Sequence, residues 1–328
     1  MSHPERLGSP GGESVGTIAE PPHVNESLSD YAARYGLRQS AARPPLRKYL
    51  QQVWARRNFI WAFASAKNIS MYTDSRLGQL WQLLTPLLNA AVYYLIFGLL
   101  LNTSRGIKDF IPFLVTGVFL FGFTQRSVTS GAKSVGDNLS LIRALHFPRA
   151  TLPLAIAVVE LQQLLLSLVV LFAIIMAWGE PITFNMVLFI PVVALQLMFN
   201  VGISMVMARL GAFNRDITQL LPFIMRTWLY MSGVIFSLPV MMKPGSKLDR
   251  YPVIARLLEA NPAHVYVELS RNMLLGEYRE SMREQVALHK ATTMPMSQLW
   301  LYAIVWAVVM LVGGFMFFYR AEERYGRG

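Results

Sequence analysis

The amino-acid sequence predicts an all-α integral membrane protein with six transmembrane helices, and three observations lead to this fold class. Apolar residues make up 54% of the 328 residues and charged residues only 15%, compared with about 25% charged residues in an average soluble protein. Six long segments contain at most one charged residue each. Ten of the 30 basic residues lie within the first 76 positions, which is typical of a segment on the cytoplasmic side of a membrane.

Each predicted span has the roughly 20 apolar residues that a helix needs to cross the hydrocarbon core of a bilayer. The spans are residues 80–101, 110–132, 150–179, 181–208, 217–242 and 291–319. Buried helices of soluble proteins rarely run this long without charge, so we exclude a soluble fold. We expect the chain to cross the plasma (inner) membrane six times, with both termini in the cytoplasm. The eight basic residues of the outer loop 243–290 count against this orientation.

The outer loop before the last span contains apolar stretches at 253–258 and 264–275, separated by prolines. We expect short re-entrant helices there, which dip into the membrane where other protein covers their backbone. An ordinary exposed loop with a short helix is the alternative.

Two segments precede the six-helix domain of residues 76–328. Residues 1–45 are rich in Gly, Pro, Ser and charge, which predicts a disordered cytoplasmic tail. Residues 46–75 predict a cytoplasmic amphipathic helix, because Leu46, Leu50, Val53 and Trp54 share one helical face. A basic, Trp-containing helix of this kind lies in the membrane interface, against lipid, or beside a partner protein.

The sequence lacks the residue patterns of an active site. It contains no cysteine, no G-x-x-x-x-G-K-[ST] motif and no pair of histidines at metal-ligand spacing, so we expect no catalytic residue, metal site or cofactor in this chain. Nucleic acid is not an expected partner, because basic residues at a membrane edge are better explained by anionic lipid.

Three charged residues fall within the spans, where each must face protein or a cavity. Arg126 lies near an inner end, so its side chain is expected to snorkel to the headgroups. Glu160 and Arg226 lie near the middle of the membrane, and an ion pair between them is our hypothesis. Because a proton-driven transporter usually shows several intramembrane acids, a single one indicates an energy source outside this chain.

Four motifs follow one another in the chain. Residues 136–153 resemble the N-x-x-L-[IL]-x-x-x-x-F-P-x-x-x-L-P signature of ABC-2 type permeases that export polysaccharides and polyol phosphates, with matches at Asn138, Leu141, Ile142, Phe147, Pro148, Leu152 and Pro153. Three other segments resemble motifs of the same family and occur in the same order along the chain. They are Gly78-x-x-Trp81-x-x-x-x-Pro86, Asn214-Arg215-Asp216 with Pro222, and Asn261-Pro262 followed by Arg271.

The resemblance implies a permease rather than an enzyme. It implies a homodimer that works with two copies of a separate cytoplasmic ABC ATPase, and ATP and Mg²⁺ would be bound by that partner. It also implies that the loop after the second span forms a coupling helix for the ATPase. The candidate coupling residues are Asp137, Asn138, Leu141, Ile142, Arg143, His146, Phe147 and Pro148.

The substrate class also comes from the resemblance, which implies a glycan built on a polyprenyl-phosphate lipid. Residues 51–146 look most similar to actinobacterial galactan exporters, while O-antigen and teichoic acid exporters share the motifs. Aromatic faces stack on sugar rings, although aromatics at this depth also form membrane belts. The substrate-path candidates are Tyr93, Tyr94, Phe97, Glu160, Trp178, Arg226 and Tyr230.

Three other functions stay open at this point. A permease for small molecules such as drugs would share the six spans. An integral membrane glycosyltransferase should show an acidic catalytic pair or an outer loop rich in Arg and His, and only the outer loop 243–290 has room for either. A receptor or scaffold without transport would not need charges inside the membrane.

Overall fold

The computed structural model describes residues 44–73, 76–101, 107, 109–145, 147–241, 251–289 and 294–325, together with residues 27, 30 and 34. The predicted disordered tail, residues 1–45, lies almost entirely outside this part of the chain. The described residues form helices and turns and contain no strand. The all-α fold class is therefore confirmed.

Thirteen helices occur in the described part of the chain. They are α1 Leu46–Ala55, α2 Arg57–Ser70, α3 Trp81–Tyr93, α4 Phe110–Lys133, α5 Leu139–Ala144, α6 Thr151–Ala177, α7 Phe189–Phe213, α8 Arg215–Met231, α9 Leu238–Met241, α10 Pro252–Glu259, α11 Pro262–Leu274, α12 Gly276–His289 and α13 Met296–Tyr319. Helix α3 continues as a wider, π-helical segment over Tyr94–Leu100. Short 3₁₀ turns occupy Gly78–Leu80, Gly136–Asn138, Phe184–Leu188 and Glu322–Arg324.

Among the residues that the structure describes, five helical segments are long and apolar enough to cross a membrane. They are Trp81–Leu100, Phe110–Lys133, Thr151–Ala177, Phe184–Phe213 and Met296–Tyr319, and each coincides with a predicted span. The chain is therefore an all-α membrane protein.

The predicted fifth span, residues 217–242, is not one continuous helix. Helix α8 ends at Met231 after 17 residues, which is about 25 Å and at the short limit for crossing a bilayer. A turn follows, in which Gly233 has a φ of +65°, a backbone conformation that residues with a Cβ rarely adopt. The apolar composition extended across this turn, so hydrophobicity alone overestimated the helix.

The backbones of helices α7 and α13 approach each other closely. A Cβ on Gly202 would lie 2.1 Å from the carbonyl oxygen of Met310, and a Cβ on Gly314 would lie 2.2 Å from that of Gly202. Small residues allow helix backbones to approach in membranes, where van der Waals packing replaces the hydrophobic effect between helices. Helix α4 packs against α7 on another side and is buried along most of its length.

Helices α10 and α11 form a hairpin that enters the bundle and returns. At its tip, the carbonyl oxygen of Ala260 accepts a hydrogen bond from Nε1 of Trp306 at 2.9 Å, ten residues or about 15 Å along α13. Directly after α11, the backbone N–H of Gly276 binds Glu180, just beyond the end of α6. Every residue from Ala263 to Leu275 is buried. Protein therefore covers α11, whereas α10 is mostly exposed, Val253 by 70% and Leu257 by 67%. A return of this segment into the membrane stays a prediction.

The predicted amphipathic helix of residues 46–75 consists of two helices, α1 and α2, with a break at Arg56. The buried face of α1 is rotated by about one residue from the predicted one. Tyr49 and Val53 are buried, whereas Leu50 and Trp54 are exposed, Trp54 by 72%. Tyr49 turns inward because its ring packs on Tyr319, with the ring centroids 5.0 Å apart.

Candidate functional site

The loop predicted to couple to an ATPase forms an exposed turn and short helix at one end of the bundle, which we call the α5 end. Asp137, Ser140, Arg143 and Leu145 are exposed, whereas Ile142 is buried. The other candidate residues hold the loop in place. The side chain of Asn138 donates to the carbonyl oxygen of Ser134 at 2.8 Å, Leu141 packs beside Ile142, and Pro148 is buried. His146 lies outside the described residues.

The loop rests on the two N-terminal helices. The rings of Phe147 and Phe59 have centroids 5.8 Å apart, and Phe147 and Ile142 belong to one apolar cluster with Tyr49 and Val53 of α1. The predicted amphipathic segment therefore packs directly against the candidate coupling loop.

A buried hydrogen-bond network joins this loop to both ends of the described chain. One carboxylate oxygen of Glu322 accepts from the backbone N–H of Arg149 at 2.9 Å, and the other accepts from the hydroxyl of Tyr49 at 2.7 Å. The Tyr49 hydroxyl itself accepts from the N–H of Ala150 at 3.1 Å. The guanidinium of Arg149 donates to the carbonyl oxygen of Glu322. Sequence reasoning missed this network, which has no local signal.

Burial shifts the acidity of the network. Desolvation raises the pKa of the Glu322 carboxyl, while the hydrogen bonds from the Arg149 backbone and Tyr49, and the charge of Arg149, oppose this rise. Desolvation, followed by the neighbouring Glu322 charge, raises the pKa of Tyr49 well above its usual value. Tyr49 is therefore a neutral hydrogen-bond donor at physiological pH.

A cleft of about 810 Å³ opens beside the loop at the α5 end. It lies between the end of α4, the turn before α5, the junction of α7 and α8, and the C-terminal turn. Lys133, Arg215 and Arg324 line it together with one acid, Asp137. The surface around the loop is therefore predominantly basic.

Three aromatic substrate-path candidates come together on one side of the bundle. The ring centroids of Tyr93 and Phe97 are 6.5 Å apart, and those of Phe97 and Tyr230 are also 6.5 Å apart. Arg226 interacts electrostatically with Tyr93 and is exposed on α8. We call these four residues the aromatic face.

The remaining candidates lie elsewhere. Tyr94 packs inside the bundle, with its ring centroid 6.4 Å from that of Phe110. Trp178 is exposed just beyond the end of α6. Glu160 lies on α6, is 2% exposed and binds side chains of α4.

The hypothesis of an ion pair between Glu160 and Arg226 is wrong. Nε of Arg126 lies 2.9 Å from a carboxylate oxygen of Glu160, and Ser130 donates to the other oxygen at 3.0 Å. Arg126 and Ser130 are four residues apart on α4, so one helical face supplies both groups. Arg126 therefore pairs with a buried acid while 31% of its side chain stays exposed, and the expected snorkelling to the headgroups stays a prediction.

A chain of side-chain hydrogen bonds holds α2 against α3 and α6. Nε2 of Gln82 donates to Oδ1 of Asn68 at 3.0 Å, Nδ2 of Asn68 donates to Gln162 at 3.3 Å, and Gln162 donates to Ser65 at 3.0 Å. These bonds tie α2 to α3 and α6. The second N-terminal helix is therefore attached to the spans by polar contacts, which are favourable where water is excluded.

The asparagine–proline motif holds the tip of the re-entrant hairpin. Oδ1 of Asn261 caps α11 by accepting from Ala263 N at 3.1 Å, and it also accepts from Nε1 of Trp228 at 2.7 Å. Its Nδ2 donates to the carbonyl oxygen of Met231, the last residue of α8, at 3.2 Å. The motif thereby joins the end of α8 to the start of α11.

Arg271 donates hydrogen bonds to backbone carbonyl oxygens in the turn after α8. Its side chain is 0% exposed and donates to the carbonyl oxygens of Gly233 and Val234 at 2.7 Å each and of Phe113 at 3.1 Å. Its guanidinium carbon lies 3.4 Å from the ring centroid of Phe113. Backbone of this kind is tolerated at membrane depth only when its polar groups find partners within the protein.

The fold and the site define a multi-pass membrane protein. The described residues contain no cluster of His, Cys, Asp or Glu that could hold a metal ion. The profile of the ABC-2 type transporter family matches residues 58–271, which is more than half of the chain. The chain therefore belongs to the ABC-2 type transporter family, as the motifs predicted.

Several curated relatives are similar over much of the chain. The O-antigen export system permease protein RfbA of Myxococcus xanthus is 26% identical over 200 residues, which cover 61% of this chain and 76% of the relative. Two RfbA proteins of Klebsiella pneumoniae are each 27% identical over 188 residues, covering 57% of this chain and 72% of each relative.

Proposed function

We propose that this chain is the permease subunit of an ABC exporter that moves a polyprenyl-lipid-linked polysaccharide, cell-wall galactan, across the cytoplasmic membrane. The similarity to permeases named for O-antigen export carries the polysaccharide-export part of the proposal, because it covers more than half of this chain and more than two thirds of each relative. The choice of galactan rests on the resemblance of residues 51–146 to actinobacterial galactan exporters. An O-antigen-type glycan is the second candidate substrate, and the names of the same relatives favour it.

The proposed energy source is a separate ABC ATPase that docks at the α5 end and holds ATP and Mg²⁺. The loop around α5 supports this role, since it exposes Asp137, Arg143 and Leu145 on a short helix. The loop is also bound to α1 and to the segment after α13. A push on the loop would therefore reach several helices as a rigid-body movement. In this arrangement the α5 end faces the cytoplasm, and so do both termini.

A homodimer is supported by the exposed charge of Arg226. Arg226, Phe223 and Tyr230 are exposed on α8, and a guanidinium facing lipid near the middle of a bilayer costs about 2.5–3.5 kcal/mol or more. A second copy of the chain against α3 and α8 would remove Arg226 from lipid. It would also place the aromatic face along a polar path between the two copies.

Conditional depletion of the protein tests the substrate class. We expect a lipid-linked glycan to accumulate on the inner leaflet, and its sugar composition separates galactan from an O-antigen-type or teichoic acid polymer. If no such lipid accumulates while efflux of a small compound falls, the protein is a drug permease and the glycan proposal is wrong.

A pair of matched variants tests the aromatic face. Phe97→Ala with Tyr230→Ala removes two stacking rings, and we expect glycan export to fall about tenfold, since aromatic contacts of this kind contribute about 0.5–1.5 kcal/mol each. Phe184→Ala is the control, because its ring is 82% exposed at the opposite end of the bundle from α5. Equal export by both variants would exclude the aromatic face from the path.

A further inference from the structure

Glu322 stands out because its side chain links three segments that are far apart in the sequence. Its two carboxylate oxygens bind Arg149, which follows the loop, and Tyr49, which lies on α1. Tyr49 also binds Ala150, so the three segments share a closed set of hydrogen bonds. Glu322 itself follows the last span by only three residues.

The network is buried and surrounded by aromatic rings. Glu322 is 6% exposed and Tyr49 is 1% exposed. Tyr325 stacks on Phe318 with ring centroids 4.6 Å apart, and on Phe213 with centroids 5.7 Å apart. A buried carboxylate is costly unless its oxygens are hydrogen-bonded, and here both of them are. The network therefore favours one arrangement of the three segments, because any sliding would leave a buried oxygen without a partner.

Apolar packing alone would not fix this arrangement so closely. Side chains such as Ile142 and Phe147 can slide over the surface of α1 while remaining buried. Hydrogen bonds to an ionised group are directional and roughly twice as strong as neutral ones. Register between packed elements is the best-attested use of such buried polar groups.

We propose that Glu322 is a positioning residue that holds the 137–148 loop in register with α1 and the end of α13, so that the three segments move as one unit when an ATPase displaces the loop. This inference rests on the proposed function, since it takes the loop as the ATPase contact. A purely structural Glu322 would stabilise the fold without affecting how ATP hydrolysis is converted into export.

The first test measures coupling in the complete exporter, reconstituted in liposomes from the full-length permease and its ATPase. Glu322→Ala removes both acceptors, and Tyr49→Phe removes only the bridging hydroxyl and keeps the ring. We expect each variant to lower the glycan exported per ATP hydrolysed by about tenfold, which corresponds to 1.4 kcal/mol and lies within the usual range of coupling between sites. The amount of assembled complex should not change.

Glu280→Gln is the matched control, because it neutralises an exposed acid on α12 at the opposite end of the bundle. A structural role predicts that export and ATP hydrolysis fall in proportion to the amount of assembled complex. That result, or unchanged coupling in Tyr49→Phe, would overturn the proposal.

The second test uses the absence of cysteine from the chain. Gln51→Cys on α1 and Ser140→Cys on α5 are both at exposed positions, and spin labels there report the distance between the two segments. We expect a narrow distribution whose mean does not change when the exporter binds ATP, and a broad one in Glu322→Ala. A mean that changes with ATP in the otherwise unaltered chain would show that the segments do not move together.

A separate cross-link distinguishes failure of this inference from failure of the proposed function. Leu145→Cys is exposed on the loop and should cross-link to the ATPase. If it does not, the docking assignment is wrong. If it does cross-link, but the mean distance between the spin labels changes when ATP binds, only the proposed role of Glu322 is wrong.

Discussion

The strongest prediction concerns Arg271, whose removal should detach the re-entrant hairpin from the broken end of α8. Arg271→Met keeps most of the side-chain length and removes the guanidinium. Three carbonyl oxygens, those of Phe113, Gly233 and Val234, then lose their donor. None of them can recover a bond from water, because the site is fully buried.

The magnitude follows from these contacts. Hydrogen bonds from a charged donor contribute about 1.5–3 kcal/mol each, but bonds made by one group are not additive. Removing one member of a buried charged set costs about 3–5 kcal/mol, so we expect Arg271→Met to lower the free energy of unfolding by that amount. Glu268, whose carboxylate lies 4.0 Å from Arg271, would also lose its nearest cation.

The assay is unfolding in mixed micelles, followed by tryptophan fluorescence. Trp228 and Trp306 both contact the hairpin tip through Asn261 and Ala260, so they report directly on this region. Arg256→Met is the control, since Arg256 is exposed on α10 and should change the free energy of unfolding by no more than about 0.5 kcal/mol.

Two results would refute the reasoning. The first is an Arg271→Met variant that unfolds within about 1 kcal/mol of the parent protein, which is the size of an ordinary substitution. The second concerns the double variant with Glu268→Gln. Because the two side chains interact, its loss should differ from the sum of the single losses by about 0.5–3 kcal/mol, and strict additivity would contradict the buried pair.

Three further predictions follow from close contacts and buried charges. Gly314→Ala should destabilise the protein by about 1–3 kcal/mol or more, because the new Cβ would meet a backbone carbonyl of α7. Gly313→Ala should not change stability, because no atom lies within 4 Å of its Cβ position. The recovery of folded protein after gel filtration compares the two variants. Arg126→Met should lower the melting temperature and Arg226→Met should not, and the opposite order would disprove the observed pairing of the buried acid. Because the folded-state pKa of Glu322 is raised, its contribution to stability is present below the usual glutamate value of about 4.3 and is lost as pH rises through the raised value. The melting temperature of Glu322→Gln, measured across that range, should therefore fall less steeply than that of the parent.

The sequence predicted those parts of the fold that follow from local composition. Five spans were identifiable because each is a long apolar run between charged segments. Short helices before the last span were predictable as well, since prolines interrupt apolar stretches too short to cross a membrane, while their depth in the membrane stays a prediction. The family was predictable because the 136–153 loop carries a spaced pattern of several residues rather than a single one.

The errors in the prediction all concern contacts between distant segments. The break after α8 depends on Arg271, which is 38 residues from Gly233, and hydrophobicity cannot register such a contact. Arg226 was chosen as the partner of Glu160 because its predicted depth was closer, whereas the packing of α4 beside α6 selects Arg126. The packed face of α1 differed by one position because Tyr49 finds a buried carboxylate in a segment 273 residues away.

Helix α8 connects the two ends of the bundle, and this gives the proposed export mechanism a physical route. It begins at the cleft beside the coupling loop, where Arg215 faces the same space as Asp137. It ends against the hairpin tip, where Asn261 binds the carbonyl oxygen of Met231. Both ends are fixed by hydrogen bonds or packing, whereas Arg226 and Tyr230 between them are exposed. A displacement at the α5 end would therefore reorient the aromatic face more readily than it would deform the hairpin, because α11 is buried from Ala263 to its end at Leu274.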